Sequence, residues 1–539
     1  VLQGKEMSEV QEVDAVIVGA GFAGMYMQYR LLDEGLSVQG FETGDNVGGT
    51  WYWNRYPGAR CDVESMDYSY QFSDDLQQEW EWSERYAPQP EILTYASHVA
   101  DKFNLRDNIK FNTRVKQALF DETLNKWRIT TDQGDEVIAT YCIMATGCLS
   151  STNLPKFDGL DSFEGDWYHT GLWPHAGVDF TGKRVAVVGT GSSAIQSIPV
   201  IAEQAGHLTV FQRTANFSIP AHNGPLAPEY IAQVKGNYAQ IRAENNDTAV
   251  GFGARWARND DSVFDADEDE RKRMFEETWA RGGFQFMSAF GDLGLDTDAN
   301  EIAADFVRDK IRGIVKDAKT AELLSPKQVL GCKRLCVDTG YFETYNRDNV
   351  ELVSVKDHPI ERITPKGLIT NGEEYCFDII VFATGFDAMT GSLLSIDTRG
   401  RDGLKLKDKW EAGPRTFLGL QSHGFPNLFT ISGPGSPSVL TNMIVSIEQH
   451  VNWIARCILF MRMNHKYVIE ADLEAENEWV EHTNDLGNGT LYPSCNSWYL
   501  GANIPGKPRV FMPYVGGFQV YSQKCEEVAN TGYRGFEIR

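Results

Sequence analysis

Apolar residues in the first half of the chain fall into short unbroken runs joined by helical periodicities. Ala15-Val-Ile-Val18 is a run of the kind buried on both faces of a parallel sheet. Directly after it, apolar side chains recur at Phe22, Met25, Tyr26, Tyr29 and Leu32, one face of a helix that Gly35 ends. Ser37-Val-Gln-Gly-Phe41 predicts a second strand, and short strands follow at Ile109 to Phe111 and at Val115. Trp127 to Thr131 and Glu136 to Thr140, with Gln133-Gly134 between them, predict a hairpin; Tyr141 to Met144 predicts a separate buried strand. Arg184-Val-Ala-Val-Val188 and Leu208 to Gln212 then repeat the strand, helix, strand order. From Leu226 to Val329 the period is helical, as at Ala303, Phe306, Val307, Ile311 and Ile314. A late helix is expected from Ile444 to about Phe460. The fold class this predicts is α/β, with two Rossmann-like dinucleotide-binding units and a helical insertion.

The turns give these units their chemistry. Gly19-Ala-Gly21-Phe-Ala-Gly24 follows a strand and opens a helix, so its amides face a pyrophosphate at the positive helix end, and Glu42 stands where a carboxylate bonds both ribose hydroxyls. Glycines kept for turn geometry alone are the other reading. Gly189-Thr190-Gly191-Ser192-Ser193-Ala194 repeats the turn, but Gln212 replaces the ribose acid. Arg213 and Thr214 beside it suit a 2'-phosphate, hence NADP over NAD, unless Arg213 is simply a surface arginine. Pro199 is expected to kink the second helix. Ala145-Thr-Gly147 and Ala383-Thr-Gly385 close similar strands, which suggests that the chain leaves its first lobe near Gly147 and returns near Gly385. The domains are then 7–147 plus 385–539, 148–225 plus 330–384, and the insertion 226–329.

Composition removes several alternatives. A chain of 539 residues with 42% apolar content fills two or three lobes. A formal charge of -25 argues against nucleic acid, which needs clustered Lys and Arg. The acidic run Asp265 to Glu270 before Arg271-Lys-Arg273 suits a helix start and a solvated face. No apolar run long enough for a membrane span and no signal-peptide pattern is present, so a cytoplasmic protein is expected, with Met7 as a natural start. Nine cysteines without a C-x-x-C pair and ten unclustered histidines predict neither a disulfide nor a metal site.

Four further stretches carry a family likeness. Gly48-Gly49-Thr50-Trp51-Tyr52-Trp53 is an aromatic cluster suited to walling a flat ring, and Asn54 to Asp62 continues it as a turn-rich loop. Phe163, Gly165, His169 and Trp173 are spaced F-x-G-x-x-x-H-x-x-x-W between the two glycine turns. Lys333-Arg334 follows the insertion, where solvated surface charges are the bland alternative, and Ser497-Trp498 to Lys507 is an aromatic, glycine-bearing segment that reads as a mobile flap or an ordered surface loop. Together these resemble the Baeyer-Villiger monooxygenases, class B flavin monooxygenases, over nearly the whole chain, and the Gly433-Pro-Gly435-Ser-Pro-Ser438 loop looks like that of the phenylacetone and steroid branch.

The resemblance implies a ketone substrate, O2, FAD and NADPH, with a flavin C4a-peroxide inserting oxygen to give an ester or lactone. It assigns FAD binding to Gly19, Gly21, Gly24, Glu42, Gly49, Thr50, Trp51, Asp62, Tyr68 and Val115. NADP binding falls to Arg60, Asp62, Gly189, Thr190, Gly191, Ser192, Ser193, Gln196, Arg213, Thr214, Lys333 and Trp498. Arg334 becomes the cation that sustains the oxygenating species, with Asp62 orienting it; Ser438, Val439 and Leu440 line the ketone pocket. His169 and Trp173 are expected to brace the lobe junction. A heteroatom-oxidising flavin monooxygenase is the alternative, distinguished by the tryptophan at Trp173 and by the Lys333-Arg334 context. A disulfide reductase would need C-x-x-C, and a non-catalytic scaffold has no reason to keep Asp62 with Arg334.

Overall fold

A computed structural model describes residues 10–539; Met7 and the residues before it lie outside the described residues. Two sheets dominate. The first uses β1 (Gln11–Val18), β2 (Val38–Phe41), β3 (Ile109–Lys110), β4 (Val115–Asp121), β5 (Lys126–Thr131) and β6 (Glu136–Met144). The second uses β7 (Asp166–His169), β8 (Arg184–Val188) and β9 (His207–Gln212). A parallel pair, β10 (Ser218–Pro220) and β11 (Cys336–Asp338), brackets the insertion. The second sheet then gains β12 (Val350–Ser354); β13 (Ile360–Thr364), β14 (Gly367–Thr370) and β15 (Glu373–Cys376) form an antiparallel layer, and β16 (Ile379–Phe382) returns to the second sheet. Its all-parallel order is β12-β9-β8-β16-β7.

β17 (Asp397–Arg399) and β18 (Leu428–Thr430) rejoin the first sheet after the Ala383-Thr-Gly385 turn, pairing with β4 and β6. The sheet reads β17-β4-β5-β6-β1-β2-β3. Where two strands were expected, Glu136 to Met144 is one strand of nine residues. Its first half alternates because it pairs antiparallel with β5, and its second half is buried throughout because β1 and β18 flank it in parallel.

Between Pro220 and Cys336 no strand forms among the described residues, and helices such as Glu268–Arg281 and Thr297–Ile314 fill the insertion. Asp267 caps the first of these, accepting from the Glu270 amide at 2.9 Å, which explains the acidic run as a helix start. Phe275, Trp279, Ala303 and Val307 join Val185, Ile195 and Leu208 in one core, so the insertion packs onto the second sheet's unit. The late helix spans Met443–Met463, somewhat longer than its apolar period suggested. Helix Ser192–Gln204 continues through Pro199, with five residues beyond it still helical.

Candidate active site

Both glycine turns are built alike. Gly19 has φ of +105° and Gly189 +116°, and a Cβ at either would lie 2.5 Å from the Ala145 carbonyl oxygen or 2.4 Å from that of Ala383. Each first glycine is pressed against the alanine of an A-T-G turn, which is why both small-residue motifs occur twice. Gly24 packs on Gly19, where an added Cβ would meet the carbonyl oxygen at 1.8 Å. Helices Phe22–Asp33 and Ser192–Gln204 both start without a side-chain cap, so their N-terminal amides are free for an anion. In front of Gly191 nothing lies within 4 Å of an added Cβ, and Ser192 and Ser193 flank that opening.

In the first unit Glu42 is buried, its two carboxylate oxygens accepting from the amides of Ala20 and Gly44, both at 2.8 Å. Capacity for a ribose hydroxyl remains on each oxygen. Gly49 backs onto Gly21, since a Cβ on it would stand 2.9 Å from the Gly21 Cα, and Thr50–Trp53 forms one helical turn. Trp51 Nε1 donates to the Tyr68 hydroxyl at 3.0 Å, and Val115 opens β4. These positions suit a flat ring and a pyrophosphate.

The second unit fits a phosphorylated ribose. Thr190 Oγ1 donates to the Thr214 carbonyl at 2.9 Å, closing the turn beside Arg213. Gln212 is turned into the insertion, donating to the Leu323 carbonyl at 2.7 Å, while its Oε1 is buried and unpaired. Burial, then the adjacent Arg213 charge, pushes the Lys333 amine below its ordinary value. Neither cation forms an ion pair within 4.0 Å among the described residues. Two neighbouring cations with no carboxylate form a receptor for an anion.

The fingerprint lies at the edge of the second sheet. Gly165 admits no side chain, because a Cβ would meet the Asp378 carbonyl oxygen at 2.4 Å, and Phe163 packs beside it. His169 is 2% exposed; Nδ1 accepts from the Gly171 amide at 3.0 Å and Nε2 lies 3.2 Å from both the Asn153 carbonyl and Thr384 Oγ1. Burial lowers its pKa, so the ring is neutral with the proton on Nε2. It ties the chain leaving the first lobe to the Ala383-Thr-Gly385 turn re-entering it, while Trp173 packs on Phe180.

Arg334 is held by several partners. Its Nε donates to Asp62 Oδ2 at 2.9 Å, Nη2 lies 2.8 Å from the same oxygen in an ion pair, and Nη1 donates to the Val439 carbonyl at 2.7 Å. Its guanidinium lies 5.1 Å from the Phe284 ring centroid and beside the Tyr499 phenol. Burial penalises the charge, but Asp62 and Tyr499 outweigh it and hold the pKa far above its ordinary value. Asp62 belongs to a loop braced by the insertion: Asp67 accepts from Arg255 Nη1 at 2.9 Å and from Asn245 at 3.0 Å, and Glu64 pairs with Arg255 as well as with Arg85 of the first unit, the latter at 2.9 Å. The lobes also meet through Gln196, which accepts from the Tyr56 hydroxyl at 2.7 Å and donates to the Arg60 carbonyl at 2.9 Å. The Arg60 side chain itself is engaged by Glu84 at 2.5 Å and the Tyr86 carbonyl at 2.6 Å.

Three expectations change. Cys332 and Cys495 form a disulfide, with Cα atoms 6.0 Å apart and 163 residues between them, where none was expected. Chain spacing says nothing about two positions brought together by folding. Ser438 faces no open pocket, for it is fully buried and its hydroxyl donates to the Ser432 carbonyl at 3.0 Å. Of that triplet, Val439 contributes its carbonyl to Arg334, and Leu440 is the partly exposed side chain. Tyr499, missed in the sequence, is the residue of the Trp498–Leu500 turn that meets Arg334; Trp498 stays half-exposed and packs on it at 4.2 Å between centroids.

Residues 16–255 match the family described as pyridine nucleotide-disulphide oxidoreductase. The chain is 44% identical over 526 residues to a Baeyer-Villiger monooxygenase of Pseudooceanicola batsensis, covering 97% of this chain and 95% of that protein. It is 41% identical over 529 residues to a phenazine N-monooxygenase of Lysobacter antibioticus, covering 97% and 96%. Among solved structures, an oxidized steroid monooxygenase bound to NADP superposes with a TM-score of 0.94 at 52% identity, covering 98% of this chain and 99% of that one.

Proposed function

The chain belongs to the Baeyer-Villiger monooxygenase family, and from that premise we propose that it converts bulky ketones, aryl, large-ring or steroid-like and also cyclic, to esters or lactones. It is an FAD- and NADPH-dependent oxidoreductase. The absence of C-x-x-C sets it apart from the disulfide-reducing members that share its two-nucleotide architecture. When bound, FAD reduced by NADPH supplies, from O2, the oxygen inserted beside the carbonyl.

The observation that carries the reading is the Arg334 guanidinium, held in place by the Asp62 carboxylate and the Val439 carbonyl. Asp62 orients it through one hydrogen bond and a close ion pair on one oxygen, and the Val439 carbonyl accepts from Nη1. The charge is permanent, so an anion developing next to it is stabilised without a proton being delivered. Tyr499 and Leu500 are buried over the same region and keep water out, with Trp498 as the flap on their outer side. Arg213 and Lys333 read the 2'-phosphate of NADPH, and Glu42 holds the FAD ribose. On this reading FAD occupies 7–147 with 385–539, and NADP occupies 148–225 with 330–384. The steroid-enzyme likeness at 52% identity supports a wide ketone pocket beside Leu440. Among the described residues no helix is long and apolar enough to cross a membrane, and the cytoplasm remains the proposed compartment.

A ketone panel tests this, with NADPH consumption, hydrogen peroxide and product mass recorded together under isotopically labelled O2. One labelled oxygen per ester is expected. Labelled N-oxide from aromatic amines with no ester from any ketone would favour the second reading, which the phenazine N-monooxygenase likeness supports. NADPH consumption yielding only peroxide would overturn both.

A further inference from the structure

Cys332 stands immediately before Lys333 and Arg334, and Cys495 three residues before Trp498. Their disulfide joins the segment leaving the insertion to the loop that lays Tyr499 against Arg334, across 163 residues of chain. Every other tie on that loop among the described residues is non-covalent: Tyr499, Leu500, Phe511 and Met512 are buried against Cys148, Met389 and Val439, and hydrogen bonds and an ion pair add to that packing. Leu491 N donates to the Gly294 carbonyl at 3.1 Å, and Met512 N to that of Tyr499 at 3.0 Å. Lys507 Nζ reaches Asp387 Oδ1 at 2.6 Å and the Ala388 carbonyl at 2.8 Å, and Asn503 Nδ2 donates to the Phe386 carbonyl at 2.8 Å. From the end of helix Leu473–Asn488 to Phe518 the chain forms only two single turns, at Tyr492–Ser494 and Trp498–Leu500. A segment with so little regular structure opens, when it does, by giving up that packing and those hydrogen bonds together, and a covalent bond between its start and the Arg334 segment adds directly to the cost.

We propose that Cys332 and Cys495 are a reversible redox modification site, a clasp that peroxide closes and a dithiol opens, and that sets whether loop 490–512 can leave the Arg334 segment. Cys332 is 1% exposed, whereas Cys495 is partly exposed and meets the oxidant first. The Cys495 thiolate attacks one peroxide oxygen, the O–O bond breaks, and water leaves behind a sulfenic acid. The Cys332 thiol then attacks that sulfur, the S–O bond breaks, and a second water leaves. Two thiols and one hydrogen peroxide thus give one disulfide and two waters. A dithiol reverses the step by exchange, becoming a cyclic disulfide itself. Reversibility suits a reducing compartment, where disulfides are transient and redox-sensing. Resting on the monooxygenase reading, the peroxide is the by-product of NADPH oxidation without ketone, so the clasp closes when turnover runs to waste.

The test compares protein reduced with dithiothreitol and protein then treated with hydrogen peroxide and desalted. Denatured, they should show nine and seven titratable thiols, with a peptide cross-link between Cys332 and Cys495 only in the second. Trypsin should cut after Arg509, which is exposed and precedes Val510, at least tenfold more slowly in the oxidised protein, and NADP+ should dissociate at least tenfold more slowly. Fresh dithiothreitol should restore both rates, and Cys332→Ser and Cys495→Ser should each stay in the fast state after peroxide. Nine free thiols after peroxide, or equal cleavage in both states, would overturn the proposal. Thiol counts and cleavage need no ketone turnover, so failure to make ester would count against the monooxygenase reading alone.

Discussion

Replacing Arg334 with lysine keeps the positive charge and removes the planar fork, so it separates charge from orientation. The guanidinium makes two contacts with Asp62 Oδ2, at 2.9 and 2.8 Å, and one with the Val439 carbonyl at 2.7 Å. A lysine ammonium, a single point charge with a shorter overall reach, keeps one of these at best. A charge-assisted hydrogen bond is worth about 1.5–3 kcal/mol net, and the two on one carboxylate are not additive, so the loss of fixed geometry comes to about 2–4 kcal/mol. Expressed at the transition state, that is a fall of roughly 30- to 1,000-fold in ester formation, at about 1.4 kcal/mol per tenfold. Arg334→Ala, without charge, should leave no measurable ester. Flavin content should be normal in both variants, because the FAD-binding turn lies on other segments. The assay records ester, hydrogen peroxide and NADPH separately, and NADPH oxidation should persist as peroxide release. Ester formation by Arg334→Lys within threefold of the unaltered protein would refute the argument that the fork matters, and loss of flavin would refute the separation of the two sites.

Arg213→Ala should raise the NADPH Michaelis constant by about 10- to 100-fold, the loss of one charge-assisted phosphate contact, and leave NADH nearly unchanged; equal shifts for both coenzymes would mean that Arg213 does not meet the phosphate. Gly189→Ala places a Cβ 2.4 Å from the Ala383 oxygen in a backbone of φ +116°, so folded yield and NADPH affinity should both drop while purified protein still binds FAD, as measured by flavin absorbance. Leu440→Phe should lower turnover of the largest ketones more than that of the smallest; an even loss would put this side chain outside the pocket. His450 is buried and neutral, with Nδ1 accepting from Ser432 N at 2.9 Å and Nε2 at 2.8 Å from the Tyr521 hydroxyl, and burial pushes its pKa down to about 3. Below about pH 6.5 the unfolded chain binds a proton there that the folded one refuses, so its contribution is complete above that pH and about 2 kcal/mol is lost by pH 5. His450→Gln should therefore flatten the stability-versus-pH curve by one proton in that range, and an unchanged slope in denaturant titrations would contradict this.

What the sequence made legible was whatever a contiguous span encodes. Strand, glycine turn and helix occupy Gln11 to Asp33 without interruption, so the periodicity, the glycines and Glu42 could be read as a unit. The repeated alanine of the A-T-G turns was visible, but not its reason, which is the contact of Gly19 with Ala145 and of Gly189 with Ala383. Contacts between distant positions were beyond reach from residues alone: Lys333 beside Arg213, Arg334 on Asp62, Cys332 bonded to Cys495. Family resemblance supplied the second of these and not the third. In the Trp498–Leu500 turn the larger aromatic drew attention, yet a single turn carries no period to say which residue points inward, and Tyr499 does. Family resemblance placed Ser438 in the pocket with its neighbours, but resemblance assigns a loop and not the direction of each side chain, and this hydroxyl is spent inside the loop on the Ser432 carbonyl.

The Arg334–Asp62 ion pair, the proposed reaction centre, also reports on how the two units are joined. Asp62 is on a loop of the first unit, and Arg334 is where the chain leaves the insertion for the second. The pair therefore exists only while the two units are docked, and it shares that docking with Tyr56–Gln196 and with Gly58, whose absent side chain would stand 2.2 Å from the Gln196 carbonyl. If the units part, Arg334 loses Asp62 and gains water, and its charge is screened where it would otherwise act. Docking and electrostatic readiness are thus one equilibrium, biased by every contact across the junction. This places the fingerprint at the centre of the design although it touches no reacting atom: His169 fastens Asn153 to Thr384, the two strands of chain that cross between the lobes, and so limits how far the units can part. A larger residue at Gly165 would strike the Asp378 carbonyl and displace the edge strand that carries His169, loosening that joint without altering any side chain that binds a nucleotide.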